Sequence, residues 1–240
     1  MRDELLEYYK NIKKEQIKVV GTPQFEPYVL PQYDLDSNWF YQHFELDPDK
    51  KVICYSCADK SIGANDPHVI ETIAAAIKDG NIQDAQLLVR TSPAEDESRF
   101  HKVKDRFPGI RWNHPEWRLT RKDHPEPWSQ RIPEVEDIAQ LKAVLRFSDL
   151  NVNMCSTMSL DFMIFDKPVI NTVFGNEENG LYNDQRFLEY VHYKNVVESG
   201  AVVIAKNAKE LIKEINYSLQ NPEARLKQQR QLIQLQISRS

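Results

Sequence analysis

Ser156, Thr157 and Ser159 place three hydroxyls within one short turn, and Asp161 follows them with a carboxylate. Residues of these types, where a chain turns into a helix, can hold a nucleoside diphosphate. The first amides of a helix have no partner inside it and the helix dipole favours negative charge there, so such a turn is a ready phosphate cradle. Ser156, Thr157, Met158 and Ser159 are the candidate diphosphate contacts. Asp161, one turn into the helix, is within reach of a sugar held above the turn, and a carboxylate is a natural acceptor for ribose hydroxyls. The same residues would also serve as an ordinary cap, with Asp161 complementing the dipole.

Lys60 and Ser61, with Gly63 close behind, fall in the loop after the first strand of a strand-and-helix series. In doubly wound sheets such loops line the ligand crevice, so both are further diphosphate candidates. Lys60 reads equally well as an exposed loop lysine without a partner. Arg90 ends the next strand on the same edge. Trp112, Trp117 and Trp128 gather in or beside the irregular segment 113–133. Their flat faces can stack a base or pin a long loop to the body. Arg118, Arg121, Lys122 and Arg131 make that segment locally basic, which fits an anionic donor, a membrane surface or plain solvation. Asn176, Glu177 and Asn179, after Phe174, could touch donor hydroxyls or form a turn. Trp112, Trp117, Arg90, Asn176 and Glu177 are thus the candidate base or sugar set, and no residue is assigned as the catalytic base.

Three other patterns carry less. Cys54 and Cys57 spell a C-x-x-C, but three positions along a strand point them to opposite faces, so they are expected as free thiols. Asp34 to Asp36 and Asp47 to Asp49 match D-x-D and read as solvated or turn carboxylates, so no metal is expected. His192 is read as structural.

The elements that must position these residues follow from periodicity. A helix is expected over 3–16 and a strand over 17–20, and then the chain to about residue 51 is rich in Pro, Tyr and Asp without a period, which reads as a linker. From there strands at 52–55, 86–90, 110–113, 150–154, near 169–173 and 201–205 alternate with helices. Among these, 66–79 starts on Asp66 and Pro67, and 134–147 is expected to turn Val135, Ile138, Leu141 and Leu145 inward. Such alternation predicts an α/β fold, a Rossmann-like doubly wound parallel sheet of about six strands. A Gln-rich amphipathic tail closes the chain, fit to cap the domain or to meet a partner.

The chain has 240 residues, 28% charged and 41% hydrophobic, with a net charge of −5. That is an ordinary globular composition, and the acidic balance argues against nucleic acid as a partner. No apolar run approaches the roughly 18 residues of a spanning helix, although a peripheral membrane contact stays open. Three cysteines suit a reducing compartment, and the charged start shows no signal peptide. The expected location is the cytoplasm, with the inner face of the membrane as a further option.

The string from Ser156 to Asp161, with Pro168 in Asp-Lys-Pro-Val-Ile seven residues after the Asp, resembles the donor-nucleotide motif in the C-terminal half of GT-B glycosyltransferases. The similarity lies near the bacterial surface-polysaccharide and CDP-glycerol glycerophosphotransferase-like families, and loosely covers 17–221. Asp161 stands where many such families carry Glu and related polyol-phosphate transferases carry Asp. The resemblance implies that the turn meets the donor diphosphate, that Asp161 binds the ribose, and that the base is read near the tryptophan segment. It implies transfer of a sugar or polyol phosphate from a nucleotide-activated donor to a cell-surface glycan or lipid acceptor, with no cofactor and no bound metal. Residues 1–22 are then expected as the remnant of an N-terminal acceptor domain, 23–50 as a linker, 51–220 as the donor-binding domain and 221–240 as a helical tail. An acceptor domain or partner chain would supply the base that activates the acceptor. The alternatives are a non-catalytic nucleotide-binding subunit that needs a partner chain, and a nucleotide-sugar epimerase. A dehydrogenase fold is disfavoured because no G-x-G-x-x-G follows the first strand.

Overall fold

The central strands of this chain are buried along nearly their whole length rather than on alternate residues, as in a sheet covered on both faces. The structure is a computed structural model and describes residues 2–18, 22–93, 95, 97–175 and 184–237. At its centre β1 (Lys51–Ser56) buries five of its six residues. It is flanked by β2 (Ala85–Arg90) and β3 (Arg111–Asn113) on one side. On the other lie β6 (Leu150–Asn153), β7 (Val169–Thr172) and β8 (Val203–Ala205), giving the parallel order β3-β2-β1-β6-β7-β8. The chain therefore runs outward from β1 to one edge, returns to pair β6 with β1, and runs outward again. At such a reversal the loops leaving the two central strands diverge and leave a crevice at their carboxyl ends.

β1 shows how the two faces divide. Ile53 and Tyr55 enter the core shared with α3 (Asp66–Lys78), α4 (His101–Arg106) and α8 (Ala208–Gln220). Val52 and Cys54 enter the other, built with α2 (Ser37–His43), α5 (Val135–Phe147), α6 (Met158–Ile164), α7 (Val191–Glu198) and α9 (Leu226–Ile237). Cys54 and Cys57 accordingly lie in different cores, and burial pushes the Cys54 thiol up to about 12 and Cys57 well above the usual range. The tail docks on its own domain: Leu232 of α9 is buried, and Gln229 donates to the Lys167 carbonyl at 3.0 Å.

Four segments differ from the periodic reading. α1 (Arg2–Tyr8) is shorter than expected, with Tyr8 and Tyr9 exposed, because a helix with little to pack against does not propagate. Residues 17 and 18 form no strand, and 19–21 lie outside the described residues. Segment 113–133 contains an antiparallel hairpin, β4 (Trp117–Leu119) with β5 (Arg131–Pro133). The stretch without a period contains α2, too brief to show one, which Asp36 caps through the Trp39 amide at 2.7 Å. Its Phe40 is fully buried beside Phe44 and Phe147.

Phe40 therefore anchors residues preceding the sheet to its core. Phe40→Ala should lower stability to urea by about 3–5 kcal/mol. A loss below about 1 kcal/mol would mean that α2 is not part of the folded body.

Candidate functional site

The turn after β6 is built on asparagine. Asn153 Oδ1 accepts the Ser156 amide at 2.8 Å and the Asn171 amide group at 2.9 Å, while Asn153 Nδ2 donates to Asn151 Oδ1 at 2.6 Å. Asn151 in turn donates to Ser56 Oγ at 2.9 Å, tying the turn to the end of β1. Ser159 Oγ receives Asn171 Nδ2 at 3.1 Å and lies 3.1 Å from Tyr193 Oη, which donates to Asn171 Oδ1 at 2.8 Å. All three asparagines and Ser159 are fully buried. The network bends the backbone so that Cys155 takes φ 45°, a conformation most side chains avoid.

This geometry sorts the predicted diphosphate contacts. Ser159 lies beneath the turn, its hydroxyl engaged by Asn153, Asn171 and Tyr193. Ser156 is half-buried and its Oγ accepts the Met158 amide at 3.2 Å. Thr157 is exposed, with its amide and hydroxyl outside this network. Met158 is half-buried at the start of α6.

The loop after β1 occupies the other side of the crevice, since Ser56 and Asn153 pair at the ends of their strands. Lys60 and Ser61 are exposed there, and Asp59 Oδ1 accepts the Ser61 amide at 2.8 Å. Beneath them sits a buried clamp that the sequence reading took for a simple helix start. Asp66 accepts from Tyr55 Oη at 2.7 Å, the Ala58 amide at 3.0 Å and Arg99 at 3.2 Å, and Arg99 also donates to the carbonyls of Ala58 and Gly63. Gly63 is obligatory: a Cβ there would stand 2.4 Å from Asp66 Oδ2. Burial pushes the Asp66 carboxyl up to about 7, against the pull of Arg99, Tyr55 and the Ala58 amide.

Arg90 and Trp117 do come together, on a protein carboxylate. Arg90 is buried and meets both oxygens of Asp137 at 3.0 and 2.9 Å, and Trp117 Nε1 donates to the same group at 2.8 Å. Asn113 receives Arg90 and donates to Gln140 at 3.1 Å. This polar cluster corrects the expected face of α5: Val135 is 61% exposed while Asp137 and Gln140 are buried, because their partners at the ends of β2 and β3 lie inward. Trp112 is half-buried against Phe100, with the Lys104 ammonium 4.6 Å from its ring and His114 stacked at 6.2 Å. Asn176, Glu177 and Asn179 lie outside the described residues, as do the side chains of Trp128 and His192.

Asp161 is 7% exposed and its Oδ1 accepts the phenol of Tyr28 at 2.7 Å, a residue no periodicity marked. Burial raises its carboxyl to about 6, opposed by Tyr28 and Arg90. A cleft of about 700 Å³ opens beside the far end of α6, lined by Phe25, Val29, Met163 and Ile233 rather than by the turn.

A model of the family described as CDP-Glycerol:Poly(glycerophosphate) glycerophosphotransferase matches residues 3–236. No curated protein matches the chain in sequence. Solved structures share the fold at low identity. A Listeria monocytogenes protein named as a UDP-N-acetylglucosamine 2-epimerase superposes with a TM-score of 0.60 at 13% identity, over 99% of this chain and 53% of that one. The wall teichoic acid polymerase TagF, as its H548A variant, gives 0.53 at 15%, over 98% and 51%. Sucrose-phosphate synthase from Thermosynechococcus elongatus gives 0.50 at 14%, over 91% and 53%. The chain thus spans about half the length of these structures, and its sheet is that of a GT-B C-terminal half.

The clamp under the Lys60 loop has a pH signature. A carboxyl raised from the ordinary range of about 4 to about 7 favours the folded state below its unfolded value, and that contribution is lost as pH rises through the folded one. Between about pH 4 and about pH 7 the stability of Asp66→Asn, measured by urea unfolding, should therefore rise relative to wild type. A constant difference across that window would show that Asp66 is ionised throughout.

Proposed function

This chain belongs to the CDP-glycerol:poly(glycerophosphate) glycerophosphotransferase family, and from that premise we propose that residues 51–220 bind a nucleotide-activated donor in the crevice between β1 and β6. The donor is a CDP-linked glycerol phosphate or a nucleotide sugar, and the acceptor a cell-surface glycan or lipid. One observation carries the reading. The turn that ends in Asp161 stands where the sheet order reverses, held rigid from below, and among the described residues no hydrogen bond reaches Asp161 Oδ2. One TagF structure of the same fold was soaked with CDPG, which agrees with a donor of this type.

In this reading Thr157, Ser156 and the backbone at Met158 meet the phosphates, with Lys60 and Ser61 across the crevice. Ser159 supports the turn from within. Asp161 holds the ribose, while Trp117 and Arg90, through the Asp137 cluster, and Trp112 of β3 shape the base end of the crevice. Asn176 and Glu177 stay in the proposal as donor contacts on sequence grounds. For a glycerol phosphate donor, an acceptor hydroxyl oxygen attacks the phosphorus that bears glycerol, and the bond to the bridging oxygen breaks. CMP leaves, and the acceptor proton passes to a base supplied by the acceptor side, either an N-terminal domain or a partner chain. Fixed donors at the turn would stabilise the charge that gathers on the departing phosphate without reorganising. Among the described residues no helix is long and apolar enough to cross a membrane, so a membrane-borne acceptor would be met at the surface.

Calorimetric titration of CDP, UDP and GDP into wild type and Asp161→Ala tests the assignment. Loss of a hydrogen bond to a charged group should weaken the preferred nucleotide by roughly 10- to 100-fold. Equal affinity in both proteins would remove Asp161 from the site.

A further inference from the structure

Tyr28 lies in a segment that precedes the sheet and folds as two 3-10 helices, Pro23–Tyr28 and Pro31–Tyr33. The segment is fastened to the body at a defined point. The Lys142 ammonium of α5, almost fully buried, donates to the Leu30 carbonyl at 2.7 Å and pairs with Asp34 at 2.7 Å. This brings the Tyr28 ring edge-on to Phe165, with centroids 5.7 Å apart, and its oxygen 2.7 Å from Asp161 Oδ1. Packing against Phe165 and Phe25 asks only for a phenyl ring. Among the described residues the hydroxyl has one partner, the carboxylate that the donor reading places at the ribose.

We propose that Tyr28 is a positioning residue of the donor site, whose phenol fixes the Asp161 carboxylate through Oδ1 and leaves Oδ2 to accept a ribose hydroxyl. The inference rests on the assignment of Asp161 made above and adds a residue from outside the sheet domain. A carboxylate can accept several hydrogen bonds, so one donor on Oδ1 orients the group without filling it. Burial, together with Asp161 itself, pushes the Tyr28 phenol far above its usual range, so it stays a donor at every working pH. The charged groups facing the pair are Arg90 at the end of β2 and Asp137 of α5, which neutralise each other in an ion pair of 2.9 Å. The phenol, with a lesser pull from Arg90, then holds the pKa of the buried carboxyl down and turns it correctly. Without it the Asp161 carboxyl rises further, since the Tyr28 hydrogen bond is the first influence holding it down.

The test is CDP titration by calorimetry of wild type, Tyr28→Phe, Asp161→Asn and the double variant, from about pH 5 to about pH 8, which brackets a carboxyl near 6. Phe keeps the ring, and an unchanged melting temperature verifies the fold. Tyr28→Phe should bind CDP about five- to tenfold more weakly at neutral pH, and the pH below which binding fades should move upward. In the Asp161→Asn background the same change should have no further effect, because the phenol acts through the carboxylate. Wild-type binding by Tyr28→Phe at every pH, beside a weakened Asp161→Asn, would overturn the role of Tyr28 and leave Asp161 in the site. Equal weakening in both backgrounds with no pH displacement would make Tyr28 a packing residue only and likewise overturn it. Wild-type binding by Asp161→Asn would overturn the assignment of Asp161, and the role of Tyr28 with it.

Discussion

The molecule depends on a chain of buried amides under the carboxyl edge of the sheet. Asn151, Asn153 and Asn171 sit on adjacent strands with no exposure, and each would be costly there without partners. They satisfy one another and, in doing so, fix three things at once: the end of β1 through Ser56, the turn amide of Ser156, and Ser159 together with Tyr193 of α7. An amide offers a donor and an acceptor at this reach without carrying a charge. A leucine at Asn153 would leave the Ser156 amide without its partner, a loss of about 1–3 kcal/mol. An aspartate would bury a charge beneath the turn where the proposed donor places its phosphates. Rigidity follows from full satisfaction, and rigidity is what lets fixed dipoles act on a ligand without first reorganising.

The same logic repeats on the two flanks of the crevice. Asp66 and Arg99 close the loop after β1, and Asp137 and Arg90 close the ends of β2 and β3. Buried ion pairs of this kind contribute little net stability, because desolvation offsets their attraction. Removing one partner is another matter, since the charge left behind has no water. Their use here is geometric: Arg99 reaches two loop carbonyls as well as Asp66, and Asp137 takes a tryptophan N–H as well as Arg90. Each therefore pins a loop that a hydrophobic pair could not address.

The sheet was legible because its signals are redundant. Val52 to Tyr55 and Leu87 to Val89 are apolar runs, set off by Pro67 at a helix start and Gly80 at its end, and each cue repeats the same message. The turn at Ser156 was legible as residue types in order. What could not be read was which polar groups already have partners. Ser159 and Thr157 are near neighbours of similar chemistry, yet one is fully buried and the other exposed, and that difference is set by Asn171 and Tyr193, far along the chain. Arg90 and Asp137 stand 47 positions apart, so no local pattern shows that they pair. Val135 was expected inward because helix periodicity counts apolar residues, and it cannot foresee that a polar cluster will claim that face of α5.

Partner assignment also decides what Asp161 can do. A carboxylate that is 7% exposed has lost most of its hydration, which raises its affinity for a proton and strengthens each hydrogen bond it makes. Were it bare, burial would drive it toward the neutral acid, and a neutral acid competes poorly for a sugar hydroxyl. The Tyr28 phenol and the nearby Arg90 keep it close to ionisation instead. In the proposed site specificity would then fall to geometry, because an oxygen on a fixed group accepts from a narrow range of directions. In the proposed site a nucleotide would fit only with its phosphates on the turn and its ribose hydroxyl along that direction. The separation between Thr157 and Asp161, one turn of helix, is what ties the two requirements together.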